Sequence, residues 1–172
     1  GGIRDEDFWV FHGDIVDRGP DNAGAFQRLL ELTEKPNVVL LWGNHEDHLW
    51  RWSVGESPVS REFSERTLPQ LVSAGITPED AGKLISRVQD ILVYSRNGQT
   101  MICTHAGLPR LPEHLWSLST YQLAHGQGTY ETPVDAMWET WAAEHGSLLQ
   151  LHGHRNHEGW PAISSLSMNL EN

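Results

Sequence analysis

Gly13-Asp14-Ile15-Val16-Asp17-Arg18-Gly19 follows one apolar run, Phe8-Trp9-Val10-Phe11, and Gly43-Asn44-His45-Glu46 follows a second, Val38-Val39-Leu40-Leu41-Trp42. Both runs are of strand length, and Ala23, Phe26 and Leu30 between them keep helical spacing. Pro20-Asp21-Asn22 supplies turn and cap chemistry at the start of this helix, and Lys35-Pro36 is expected to stop it. The stretch therefore reads as a βαβ unit. Its two strands should run parallel with a right-handed crossover, so both polar loops leave the carboxyl edge of the sheet side by side. Asp14 and Asn44 can then face one ion. Carboxylate, amide oxygen and imidazole are donors for hard or borderline cations, and the planar fork of an arginine matches a phosphate, so the residue types suit a phosphate-cleaving metal centre.

The rest of the chain repeats the pattern. Ser60 to Ala74 and Pro78 to Val88 are helix formers with broken apolar periodicity, separated by Gly75-Ile76-Thr77-Pro78, and read as a helical flank or cap. Ile91-Leu92-Val93-Tyr94 and Thr100-Met101-Ile102-Cys103 flank Asn97-Gly98, a strong hairpin signal, and the second strand ends in Thr104-His105-Ala106-Gly107. Val134, Met137, Trp138 and Trp141 share a helical face before Leu148-Leu149-Gln150-Leu151 resumes strand character and ends in His152-Gly153-His154-Arg155-Asn156. Ile163 to Leu170 alternates like a strand through Leu166, Met168 and Leu170. Four apolar strands thus each finish in a loop bearing Asp, Asn or His.

A chain of 172 residues buries about 70% of its unfolded surface, enough for one enzyme-sized domain. The single cysteine, Cys103, excludes an intramolecular disulfide and reads as a small buried side chain, consistent with a reducing, cytoplasmic setting. No stretch approaches the roughly 20 apolar residues of a membrane span. A formal charge of −11 argues against a broad surface for nucleic-acid backbones. It leaves room for one phosphorylated end at a metal-lined pocket.

The two Gly-Asp and Gly-Asn-His-Glu motifs, His105-Ala106-Gly107 and Gly153-His154 occur in the order of the calcineurin-like metallophosphoesterases, and the chain resembles their phosphoprotein phosphatase branch. The resemblance implies a mixed α/β fold, a two-sheet β-sandwich flanked by helices, and two divalent ions, manganese with iron or zinc as alternatives. It implies metal ligation by Asp14, Asn44, His105 and His154, phosphate binding by Arg18 and Asn44, and leaving-group protonation by His45 supported by Asp17. Water acidified by the ions would attack phosphorus without a phosphoenzyme. Glu46 is read as holding the loop, and Arg155 and Asn156 either touch the substrate or order a turn. His152 is an alternative to His154, which is preferred for the glycine before it. The substrate class is a phosphoprotein or a nucleic-acid or nucleotide phosphate. A weaker resemblance to phosphatase modules of RNA repair implies a fused or neighbouring RNA ligase. Dinucleoside polyphosphates are the alternative substrate.

The family's opening Gly-Asp-x-His-Gly has no match in residues 1 to 12, where His12 alone cannot replace it. The expectation is a piece of a longer protein, short of the first strand and of closing strands, with an incomplete first metal site. A non-catalytic phosphate-binding or scaffold relative is the rival reading. The simpler alternative for Asp14 and Asp17 is a turn or cap role; Trp50 and Trp52 read as core or cap packing with a substrate-facing alternative, Trp138 and Trp141 as core, and His48, His114, His125, His145 and His157 as solvated or helix-surface side chains.

Overall fold

The computed structural model describes residues 4, 6–155 and 161–171. These divide into two compact units, Gly1–Gln89 and Asp90–Asn172. In the first, β1 (Trp9–Phe11), α1 (Asn22–Leu32) and β2 (Val38–Leu40) form the predicted βαβ unit. The strands are parallel, with Trp9 opposite Val38 and Phe11 opposite Leu40. The Asp21 side chain caps α1 by accepting from Gly24 N. The helix stops at Leu32, ahead of Lys35-Pro36, where the Thr33 hydroxyl takes up the carbonyls of Leu29 and Leu30. Its buried stripe is Ala23, Phe26, Leu29 and Leu32; Leu30 is only half-buried. That stripe packs into a core with Leu40, Leu49, Phe63, Leu71 and Leu84. Continuity of apolar residues overstated burial at the start of β1, where Phe8 and Trp9 are exposed.

After α2 (Glu46–Ser53), the helical flank runs through a π-helical turn, Phe63–Thr67, into α3 (Leu68–Ser73). The reason is local. Pro69 has no N–H, and its ring would meet the carbonyl four residues back, so the ladder widens just before it and Leu68 N reaches Phe63 O. The widened turn puts the Thr67 side chain in the interior. Next comes α4 (Pro78–Ile85), opened by a reciprocal cap between Thr77 and Asp80.

The second unit is built on a mixed sheet of β3 (Leu92–Arg96), β4 (Gln99–Cys103), β5 (Leu149–His152), β6 (Ala162–Ile163) and β7 (Ser167–Asn169), in the order β3-β4-β5-β7-β6. Asn97 and Gly98 both take positive φ, 52° and 80°, as a tight two-residue hairpin requires. Because β4 pairs parallel with β5, the loops carrying His105 and His154 leave one edge of the sheet. Between these strands lie α5 (Thr120–His125), opened by a Ser119/Gln122 capping box, and α6 (Val134–Glu144). The inward face of α6 is Val134, Trp138 and Ala142, which leaves the predicted Met137 exposed.

The expected run from Ile163 to Leu170 is two antiparallel strands, and its burial is inverted. Ser167 and Asn169 face inward while Leu170 is exposed. Ser167 is tolerated there because it is partnered: its Oγ donates to Asp135 Oδ1 at 2.5 Å and accepts from Gln150 Nε2 at 3.1 Å. Cys103 is fully buried, and burial pushes its thiol up to about 12.

The described residues therefore form the expected mixed α/β architecture of two sheets flanked by six α-helices. Among them, no helix is long and apolar enough to cross a membrane. Trp138 is the largest fully buried side chain, and its Nε1 donates to Leu148 O at 3.1 Å. Trp138→Ala is expected to lower the unfolding free energy by about 3–5 kcal/mol, read from the shift of a urea unfolding midpoint.

Candidate functional site

The loop after β1 is held in an unfavourable conformation. Gly13, Asp14, Asp17 and Arg18 all have positive φ, at 85°, 53°, 69° and 54°. Each non-glycine residue in this region costs about 1–3 kcal/mol and persists only where its surroundings over-determine it. Glu46 supplies much of that constraint. Its fully buried carboxylate accepts from Gly43 N at 2.6 Å and Asp14 N at 2.8 Å through Oε2, and from Ile15 N at 3.0 Å through Oε1. One side chain thus joins the loop after β1 to the turn after β2. At Gly43 a Cβ would lie 2.5 Å from Asp14 Oδ1, so only glycine permits that approach.

The joined loops bring Asp14, Asp17 and His45 together. His45 N donates to Asp14 Oδ1 at 3.1 Å, and its Nε2 lies 3.8 Å from Asp14 Oδ2. Its Nδ1 is 2.6 Å from Asp17 Oδ2; a carboxylate only accepts, so Nδ1 carries the proton. The other oxygen of Asp17 accepts from the Thr67 hydroxyl. Burial alone would raise the Asp17 pKa, but the hydrogen bonds from His45 and Thr67 and the adjacent imidazoles outweigh it, and the carboxyl lies below its ordinary range. Burial would likewise lower His45, yet the Asp17 hydrogen bond and the charges of Asp14 and Asp17 prevail and raise it. Arg18 is exposed, with its backbone N–H on Glu62 Oε1 at 2.7 Å, and Asn44 is half-buried in the turn before α2.

In the second unit, His105 and His154 are both buried, with ring centroids 5.0 Å apart and a nitrogen of each ring within 4.8 Å of one on the other. Gly153 N donates to His105 O at 2.7 Å and ties the two loops together. His152 is engaged elsewhere: its ring lies 2.9 Å from Gly153 O through Nδ1 and 2.9 Å from Asp135 Oδ1 through Nε2, so both nitrogens have partners. Of the two roles expected of Arg155, its contacts are those of loop ordering. Its buried guanidinium donates to the carbonyls of Ala106, Gln127 and Thr129, which fixes the loops around His105. Asn156 and His157 lie outside the described residues. His48, expected in solvent or on a helix surface, is half-buried on α2, edge-on to His45 and against Phe63. Burial lowers its pKa.

Sequence reasoning missed Glu62, Arg66, Thr67 and Gln70. All lie on the helical flank; Glu62, Arg66 and Thr67 contact the loop that carries Asp17 and Arg18, and Gln70 holds Asn22 at the start of α1. Pro69 inside a helical pattern was the available signal for an irregular turn there.

The His45-Asp17 pair makes stability depend on pH. A raised histidine contributes fully below its ordinary 6.5 and loses that contribution as pH climbs through its folded value; a lowered aspartate contributes fully above its ordinary 3.8 and loses it as pH falls through its folded value. In metal-free protein, the urea-midpoint difference between wild type and Asp17→Asn is therefore expected to be widest between pH 3.8 and 6.5 and to narrow on either side.

A family model described as calcineurin-like phosphoesterase matches residues 2–170. The chain is 25% identical over 155 residues to a Halalkalibacterium halodurans protein named bis(5'-nucleosyl)-tetraphosphatase PrpE (asymmetrical), covering 84% of this chain and 62% of that one. It is 33% identical over 116 residues to a Legionella pneumophila protein named bis(5'-nucleosyl)-tetraphosphatase, symmetrical, covering 67% and 38%. It therefore spans less than two thirds of either relative's length. Among solved structures, it resembles hypothetical protein PH1004 from Pyrococcus horikoshii OT3, with TM-score 0.58 and 11% identity over 96% of this chain and 62% of that one. A protein serine/threonine phosphatase from Saccharomyces cerevisiae with similarity to human phosphatase PP5 gives 0.53 and 16% over 95% and 57%. At these identities the structural likenesses speak for the fold. With a family match running from residue 2 to residue 170, the chain belongs to the calcineurin-like phosphoesterases.

Proposed function

We propose that this protein hydrolyses phosphate esters or anhydrides with divalent metal ions held by Asp14, Asn44, His105 and His154. The observation that carries the reading is His45, fixed through Nδ1 on Asp17 while Nε2 lies close to Asp14. The donor chemistry fits the ions: two neighbouring buried imidazoles, a carboxylate and an amide oxygen make a mixed N and O set suited to manganese, iron or zinc. When bound, such ions supply Lewis acidity and lower the pKa of a coordinated water. Arg18 holds phosphate oxygens through its guanidinium fork. His45 passes the Nε2 proton to the departing oxygen while Nδ1–H stays on Asp17, which keeps the ring aimed and supports its positive charge.

For substrate, the names of the relatives favour dinucleoside polyphosphates. The buried His45-Asp17 pair supports a second class, phosphomonoesters, because an alkoxide needs a proton to leave and a nucleotide phosphate needs much less help. A panel of a dinucleoside tetraphosphate, phosphopeptides, and RNA ends with 3′-phosphate or 2′,3′-cyclic phosphate separates these classes. With manganese added, turnover is expected on at least one arm and is lost to chelator. Asp14→Asn is expected to abolish the metal-dependent turnover. His45→Ala should slow an alkyl phosphomonoester by about 100- to 10,000-fold. Metal binding by calorimetry without turnover on any arm would instead support the non-catalytic reading.

A further inference from the structure

We propose that Thr67 is a positioning residue for proton transfer by His45, set in place by the π turn at Phe63–Thr67. The inference rests on the reading of His45 as the acid. Asp17 has two carboxylate oxygens; one holds the His45 ring and the other accepts from Thr67 Oγ1. Both Asp17 and Thr67 are buried. With each oxygen tied to a different element, the carboxylate plane is fixed. Without the hydroxyl it is free to turn about its own bonds, and the imidazole it orients turns with it.

The surrounding contacts show that the flank is built onto this loop. Glu62 Oε1 accepts from Arg18 N at 2.7 Å, Arg66 donates to Gly19 O at 3.0 Å, and Gln70 Oε1 accepts from Asn22 N at 2.9 Å and Nδ2 at 3.2 Å. In a regular α-helix, residues 62 and 67 would point about 140° apart, since each residue turns the helix by about 100°. The wider π turn brings them toward one side, so Glu62 can hold the Arg18 backbone while Thr67 holds the Asp17 side chain. An irregular helical turn therefore serves the two neighbouring residues assigned to phosphate binding and acid support. Neither contact belongs to the motifs that mark the site.

The distinguishing property of an acid catalyst is that its loss matters in proportion to the basicity of the leaving group. Thr67→Val removes the hydroxyl at nearly constant volume, Thr67→Ser keeps it, and His45→Ala serves as the reference for complete loss of the acid. Each is assayed with manganese on an alkyl phosphate and on 4-nitrophenyl phosphate. Thr67→Val is expected to lower kcat about tenfold on the alkyl ester with KM within about twofold, and less than about twofold on the nitrophenyl ester. Thr67→Ser should stay within about twofold of wild type on both. Equal losses on the two esters, or no loss, alongside a selective loss in His45→Ala, overturn the role of Thr67 alone. If His45→Ala shows no selectivity, the acid assignment fails and this inference fails with it.

A second readout needs no turnover. The His45 Nδ1 proton, followed by NMR, should exchange with solvent faster in Thr67→Val than in wild type or Thr67→Ser, and unchanged exchange overturns the proposal. Should Thr67→Val melt below the assay temperature, Thr67→Cys, with a weak donor of similar size, provides the same comparison on both readouts.

Discussion

The buried carboxylate of Glu46 is the contact on which the first half of the site depends. An ionised group with no solvent exposure is tolerable only when it is hydrogen-bonded, and three backbone N–H groups from two separate loops meet that need. The same bonds offset the cost of placing Asp14 at positive φ and bring the Gly43 backbone against its carboxylate. His45 is the next residue back along the chain, so the constraint that shapes the Asp14 loop also places the imidazole. Losing the carboxylate would remove the acceptor of the buried Gly43 N–H, at a cost of about 1–3 kcal/mol.

A second layer of restraint comes from the π turn and the helix after it. Asp14 is held from the α2 side, whereas Asp17, Arg18, Gly19 and Asn22 are held from residues 62–70. The loop after β1 is thus gripped at both ends by different elements. Such over-determination lets a short loop keep three non-glycine residues in left-handed geometry. The second unit reaches a similar result by other means. Arg155 draws the carbonyls of Ala106, Gln127 and Thr129 onto one guanidinium, and His152 bridges Gly153 O and Asp135. His105 and His154 lie side by side at the sheet edge.

Much of this was legible from local chemistry. Parallel pairing of β1 and β2 follows from two apolar runs joined by a capped helix, and the Asn97-Gly98 hairpin follows from two residues that tolerate positive φ. The grouping of Asp14, Asp17 and His45 follows from loops at the same edge of a parallel pair. Apolar periodicity was less reliable where polar side chains turned inward. Ser167 and Asn169 took the inward positions that apolar alternation assigned to Leu166, Met168 and Leu170, and His48 went against Phe63 rather than into water.

Sequence by itself determined the fold class and the family, because those depend on short-range patterns and on residue types that few other chemistries require together. Tertiary structure alone placed the His152 ring between Gly153 O and Asp135, set the Arg155 guanidinium on the carbonyls of the loops around His105, and brought Thr67 onto Asp17. The physical reason is that a side chain's role depends on which of its donors and acceptors remain available after folding. The partners that settle this lie as far as 50 positions away in the chain, as Thr67 does from Asp17, and no local pattern records them.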